Sequence, residues 1–276
     1  MKAFKIDLAK EYGLQGGVLE CIVMEPTLDR DYENWKRPAV IVVPGGGYGM
    51  VSTREAACVA TGFLDRGYQA FVLTYLCAPD DVRYPEQLCE LAAAVDYVKK
   101  HAQELYVNAD EVFAVGFSAG GHLTANLAVD HQNVSARAGQ ELDCKPTAVG
   151  LCYPVITNKH GHFGSYVNLL NGYTDEAKEE LLKILNLDEV VSEQTPPAFI
   201  WTTATDDCVP ADNSLRYALA LDKQGINYEL HVYPRGHHGL SRCNLEINGE
   251  FDFLAKASRW MDDCASFFRL YTVEKF

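Results

Sequence analysis

Residues 116–120 read Gly-Phe-Ser-Ala-Gly, a G-x-S-x-G pentapeptide centred on Ser118. A β-prone run, Glu-Val-Phe-Ala-Val, precedes it, and a helix-prone run, Ala-Gly-Gly-His-Leu-Thr-Ala-Asn-Leu-Ala-Val, follows it. A serine on a tight strand-to-helix turn needs small neighbours two residues away on either side. Such a turn lifts the hydroxyl above the sheet and sets it at a helix N-terminus. The chemistry this arrangement offers is nucleophilic attack on a carbonyl.

Attack leaves a negative oxygen, which needs main-chain N–H groups aimed at it. Pro44-Gly45-Gly46-Gly47-Tyr48-Gly49 follows an apolar run and has the glycines that let backbone approach closely. One donor is expected at Gly46 or Gly47, and the second at Ala119, beside the nucleophile. The same run lacks the Gly-Lys-Ser/Thr of a nucleotide P-loop. Met50 also interrupts the spacing of a dinucleotide fingerprint.

A serine hydroxyl is weakly nucleophilic until an imidazole takes its proton and a carboxylate orients that imidazole. After a nucleophile on such a turn, the acid and then the histidine follow in chain order. His238, in Arg235-Gly236-His237-His238-Gly239, lies in a glycine-rich loop after the last apolar run; His237 is its neighbour and rival. Asp206 and Asp207 follow Ala-Phe-Ile-Trp-Thr-Thr-Ala-Thr. Asp206 fits D-x-x-V-P spacing as the orienter, and Asp207 is expected to cap the helix that follows. No Asp or Glu stands between Tyr153 and Asp175, so the preceding loop offers no acid. His160 and His162 form an H-x-H pair without an evident third ligand, and no metal is expected.

Seven segments read as strands: Val18 to Met24, Pro38 to Val43, Tyr68 to Tyr75, Glu111 to Phe117, Thr147 to Tyr153, Ala198 to Thr203 and Tyr228 to Tyr233. Several are almost continuously apolar, as strands covered on both faces must be. Helical periodicity fills the gaps at Arg54 to Arg66, Tyr84 to Glu104, Ser118 to Asp130, Ala211 to Gln224 and Phe251 to Phe268. The alternation predicts an α/β fold, a mostly parallel sheet with helices on both faces, in a single domain over 1–276. Residues 154–197 break the rhythm with a polar loop and an amphipathic helix, Asp175 to Leu187. They read as a lid inserted at the carboxyl edge of the sheet.

The 276 residues carry a formal net charge of −14 and nearly half are hydrophobic. That charge argues against nucleic acid and anionic membranes as partners. No apolar stretch is long enough to span a membrane, and the N-terminus lacks the pattern of a signal peptide. The nine cysteines are scattered, odd in number and without a C-x-x-C pair, which suits reduced thiols in the cytoplasm. The sequence leaves assembly into a homo-oligomer open.

Taken together, Pro-Gly-Gly-Gly-Tyr at 44–48, Gly-Phe-Ser-Ala-Gly-Gly-His at 116–122, D-x-x-V-P at 206–210 and Gly-His-His-Gly-Leu at 236–240 resemble the bacterial acetyl-esterase branch of the α/β-hydrolases. That branch includes acetyl xylan esterases and is related to the hormone-sensitive-lipase-like esterases. Pro44 stands where the latter group has histidine. By position, the resemblance implies Ser118 as nucleophile, Asp206 as orienter and His238 as base, with Gly46, Gly47 and Ala119 at the oxyanion hole. It also implies a short acyl ester, a small molecule, as substrate and no cofactor. Tyr48, Tyr84, Tyr153, Phe163, Tyr166 and Tyr173 are candidate stacking faces for a sugar, Tyr48 and Tyr153 foremost. An amide-cleaving relative, formamidase or exopeptidase, uses the same triad; a receptor that has lost catalysis usually loses its serine or histidine.

Overall fold

A computed structural model describes residues 1–26, 35–160, 162–249 and 254–273. Its eight strands form one sheet in the order β1-β2-β4-β3-β5-β6-β7-β8. The strands are β1 (Lys2–Asp7), β2 (Val18–Val23), β3 (Arg37–Val43), β4 (Gln69–Thr74), β5 (Val107–Phe117), β6 (Val149–Cys152), β7 (Ala198–Thr203) and β8 (Tyr228–Tyr233). The pairs from β4 through β8 are parallel, and β1 and β2 join antiparallel at one edge.

The apolar run of β3 shows why so few polar residues fall in the strands. Ala39, Ile41 and Val43 pack with α3 (Glu86–Lys100) and α4 (Ala119–Ala138) on one face. Val40 and Val42 pack with α2 (Ala57–Asp65) and α10 (Trp260–Arg269) on the other. Alternate side chains therefore enter two different cores, and both sets must be hydrophobic. α7 (Asp212–Lys223) extends the first layer over β6 and β7, through Tyr217 and Leu221. The second layer is aromatic: Phe113 and Phe268 stack at 4.4 Å, and Trp201 and Trp260 at 5.5 Å. Truncating any of these rings to alanine is expected to remove about 3–5 kcal/mol.

The short helices are α1 (Leu8–Tyr12), α5 (Phe163–Leu169), α6 (Asp175–Leu185), α8 (Leu245–Asn248) and α9 (Leu254–Ala257). Three expectations change. β1 was not among the expected strands; it is an exposed edge strand whose lysines interrupt the apolar signal. The helix expected over 251–268 begins outside the described residues and is broken into α9 and α10. α4 runs to Ala138, past the expected end at Asp130. No helix among the described residues is long and apolar enough to cross a membrane.

Candidate active site

Ser118 sits between β5 and α4 with φ 52° and ψ −117°, in backbone space that side chains rarely occupy. The two flanking glycines have a packing reason. A Cβ on Gly116 would lie 2.2 Å from the Gly120 carbonyl oxygen, and one on Gly120 would lie 2.2 Å from that of Val43. The helix is thus driven tightly against the strand ends, which is the strand-to-helix turn the motif requires. The Ser118 N–H donates to the Cys152 carbonyl at 3.0 Å, fixing the turn to the end of β6.

The structure brings His238 and Asp206 to this serine. His238 Nε2 lies 2.8 Å from Ser118 Oγ, and His238 Nδ1 lies 2.8 Å from Asp206 Oδ2. The Asp206 side chain is buried, and its other oxygen accepts the N–H groups of Cys208 and Val209 at 2.9 and 2.8 Å. These two bonds occupy one carboxylate oxygen and leave the other directed at the imidazole. A carboxylate on Nδ1 requires the proton there, so Nε2 is the acceptor and the Ser118 hydroxyl donates to it. The loops are tied together as well: Thr203 and Thr205, at the end of β7, donate to the Gly236 carbonyl at 2.7 and 3.1 Å.

Asp207 does not cap α7, whose first turn has no side-chain cap. It accepts the His238 main-chain N–H at 3.0 Å, and that bond holds its carboxyl below the ordinary range. His237 turns its Nδ1 towards the His238 carbonyl, 2.7 Å away.

The glycine loop after β3 folds back on itself, with the N–H groups of Gly49 and Met50 both donating to the Gly46 carbonyl. Gly46 has φ +124°, and a Cβ there would meet the Met50 carbonyl oxygen at 2.1 Å, so only glycine fits. Gly45 donates its N–H to Glu55 at 2.8 Å. Among the described residues, the N–H groups of Gly46, Gly47 and Ala119 have no protein acceptor. Gly45 and Ser118 are neighbours: a Cβ on Gly45 would come within 3.0 Å of Ser118 Cβ.

α5 lies over this loop. Asn168 donates to the Gly47 carbonyl at 2.8 Å, and His162, bonded through Nδ1 to Ser165 Oγ at 2.9 Å, stands against Gly47. Burial, with repulsion from His238 added, pushes the His162 imidazole below its ordinary pKa. His160 instead faces Asp212. Among the described residues no group of three or more His, Cys, Asp or Glu is arranged to hold a metal ion.

Tyr48 and Tyr153 are in different surroundings from those expected. Each is 1% exposed, so neither offers a ring to a sugar. The Tyr48 hydroxyl is held by His122 Nδ1 at 2.8 Å. The Tyr153 hydroxyl donates to Glu55 at 2.7 Å and accepts the Ser241 N–H at 2.8 Å. Tyr84 and Tyr166 are buried too, whereas Phe163 is 61% exposed. Sequence reasoning passed over Glu55 altogether. Its only signal was a carboxylate six residues after Gly49, at the start of a segment whose period read as an ordinary helix.

The model of the BD-FAE family matches residues 29–221. Endo-1,4-beta-xylanase B of Butyrivibrio fibrisolvens is 35% identical over 220 residues, 77% of this chain and 34% of that protein. An acetylxylan esterase of Xylanibacter ruminicola is 31% identical over 213 residues, 75% of this chain and 42% of that protein. The chain thus spans less than half the length of these curated relatives. Among solved structures, an acetyl ester-xyloside bifunctional hydrolase from Caldicellulosiruptor lactoaceticus superposes with a TM-score of 0.80 at 29% identity, covering 97% of this chain and 96% of the other. A carboxylesterase from Lactobacillus plantarum gives 0.84 at 26% identity, with 98% of both chains covered. The chain belongs to the BD-FAE family, and it shares the α/β-hydrolase fold of these solved structures.

Proposed function

We propose that this chain is a serine esterase that hydrolyses short-chain acyl esters, acetyl esters foremost, through an acyl-enzyme. The observation that carries this is the unbroken hydrogen-bond chain from Ser118 Oγ through His238 to Asp206, with 2.8 Å at each link. Ser118 attacks the ester carbonyl while His238 takes its proton. The oxyanion is received by the N–H of Ala119 and by that of Gly46 or Gly47; Gly45 is excluded because its N–H is already bonded to Glu55. Developing positive charge on His238 is offset by Asp206. The alcohol leaves with the proton from His238, and a water activated by the same imidazole releases the acid.

Residues 154–197 act in this reading as a lid over one domain, since α5 rests on the glycine loop. The names of the xylan-acting relatives favour acetyl groups on xylo-oligosaccharides, with Phe163 rather than Tyr48 or Tyr153 as the apolar face for the sugar. Nine free thiols favour a reducing compartment, the cytoplasm, and the charge of −14 favours small esters over nucleic acid.

The test is hydrolysis of p-nitrophenyl acetate, butyrate and octanoate by the wild type and by Ser118→Ala. Acetate cleavage that falls with acyl length and vanishes in the variant supports the reading. Turnover indifferent to Ser118 refutes it. Acetylated xylo-oligosaccharides then test the sugar, where release of acetate is the expected outcome.

A further inference from the structure

The loop between β3 and α2 carries a carboxyl group that the reaction above does not use. Glu55 is 4% exposed, yet it meets two different walls of the site. Its Oε2 accepts the Gly45 N–H at 2.8 Å, next in the chain to Gly46 and Gly47. Its Oε1 accepts the Tyr153 hydroxyl at 2.7 Å. Tyr153 follows the end of β6 with a left-handed φ of 37°, and its ring stands edge-on to the His238 ring, with centroids 5.0 Å apart at 71°. Its oxygen also accepts the N–H of Ser241, three residues beyond His238 and left-handed itself at φ 52°.

Both groups that approach Glu55 are donors. Glu55 must therefore accept on each oxygen, which the carboxylate does and an amide cannot. Burial pushes the carboxyl above its ordinary pKa, while the bonds from Tyr153 and Gly45 and the nearby His238 act in the opposite direction. A core filler needs no such arrangement, since an apolar side chain would occupy the same space without a desolvated charge.

We infer that Glu55 is a positioning residue for acyl transfer: through Gly45 it sets the direction of the next two N–H groups, and through Tyr153 it sets the plane of the His238 ring. The inference rests on the esterase reading of Ser118. Loss of either link misaims groups that act only as charge develops, so it lowers kcat rather than substrate binding.

The experiment compares wild type, Glu55→Gln and Tyr153→Phe. Each is measured for kcat and KM on p-nitrophenyl acetate, for the labelling rate of Ser118 by a fluorophosphonate, and for its thermal midpoint. Labelling forms the Oγ–P bond, expels fluoride and sends the serine proton to His238. It therefore reads nucleophile and oxyanion hole without requiring the right ester. Both variants are expected to lose about ten- to a hundred-fold in kcat and in labelling, with KM within about threefold, while folded at the assay temperature. Wild-type rates per folded molecule, or a change confined to KM, would overturn the inference and leave the esterase reading standing. If Glu55→Gln does not fold, Tyr153→Phe decides alone, because it removes a single hydroxyl. A wild type that neither turns over ester nor labels at Ser118 would overturn both readings.

Discussion

Asp206 and Asp207, adjacent in the chain, hold opposite ends of one residue: Asp206 takes the His238 ring at Nδ1, 2.8 Å away, and Asp207 takes its main-chain N–H at 3.0 Å. The ring bond fixes the tautomer, and the main-chain bond only steadies the loop. Asp206→Asn is therefore expected to lower kcat by about 10³–10⁴-fold, because an amide favours the wrong tautomer. Asp207→Asn keeps an acceptor for the N–H and should stay within about tenfold. Steady-state kinetics on p-nitrophenyl acetate checks both; the reverse ranking would mean that the orienter has been misassigned.

The tight turn makes a claim on folding that is separate from chemistry. A methyl on Gly120 would be forced to 2.2 Å from the Val43 carbonyl oxygen and 2.3 Å from that of Pro44, both of them backbone atoms. Gly120→Ala is expected to destabilise by about 2–3 kcal/mol or more. Ser118→Ala, in contrast, should leave the unfolding midpoint nearly unchanged while abolishing turnover. Urea unfolding of the two variants side by side would separate these effects.

His122, in the first turn of α4, is buried between Tyr48 and the Leu185 carbonyl. A carbonyl can only accept, so Nε2 bears the proton and Nδ1 accepts from the Tyr48 hydroxyl. Burial lowers its pKa to about 4 from 6.5. Between these values the unfolded chain binds the extra proton, so stability rises with pH across that window and is lost as pH falls through it. His122→Gln should show a flatter dependence of the unfolding midpoint on pH from about 4 to 6.5, and an unchanged slope would count against the buried neutral imidazole.

The contact of α5 with the glycine loop predicts a smaller effect. Asn168→Ala removes the donor to the Gly47 carbonyl and lets the adjacent peptide groups drift. A loss of about 1 kcal/mol in transition-state stabilisation corresponds to about fivefold in kcat. Kinetics with acetate and octanoate esters would detect it, and an unaffected kcat would detach this helix from the oxyanion loop.

What was legible in the residues was the part governed by local rules. Apolar runs marked the strands that are covered on both faces, and glycine spacing marked the turn at Ser118 and the loops at Gly46 and Gly236. Chain order narrowed the acid and the base, and D-x-x-V-P and glycine spacing picked Asp206 and His238 from their neighbours; the fold brings both to Ser118. What escaped depends on distant contacts. β1 sets two lysines and an aspartate among three apolar residues because it is an edge with little to bury. The break before α10 carries Trp260 to where its indole N–H reaches the Ser241 carbonyl at 2.9 Å, a contact no periodicity reports. Tyr48 and Tyr153 look like surface aromatics beside loops, yet their hydroxyls are bonded inside, to His122 and to Glu55 and Ser241. Glu55 had no spacing rule to announce it.

Ser118, Tyr153 and Ser241 all hold left-handed backbone without being glycine. Each such residue is about 1–2 kcal/mol worse off than in an ordinary conformation, and the surrounding packing has to supply the restraint. The reactive centre is therefore a loaded spring held in place by the frame around it. On warming, the spring should slacken first: turnover is expected to fail several degrees below the point at which circular dichroism registers loss of the helices. Coincident transitions would show instead that centre and frame melt as one. The durability of the sheet and the durability of its chemistry are then separate properties of the same chain.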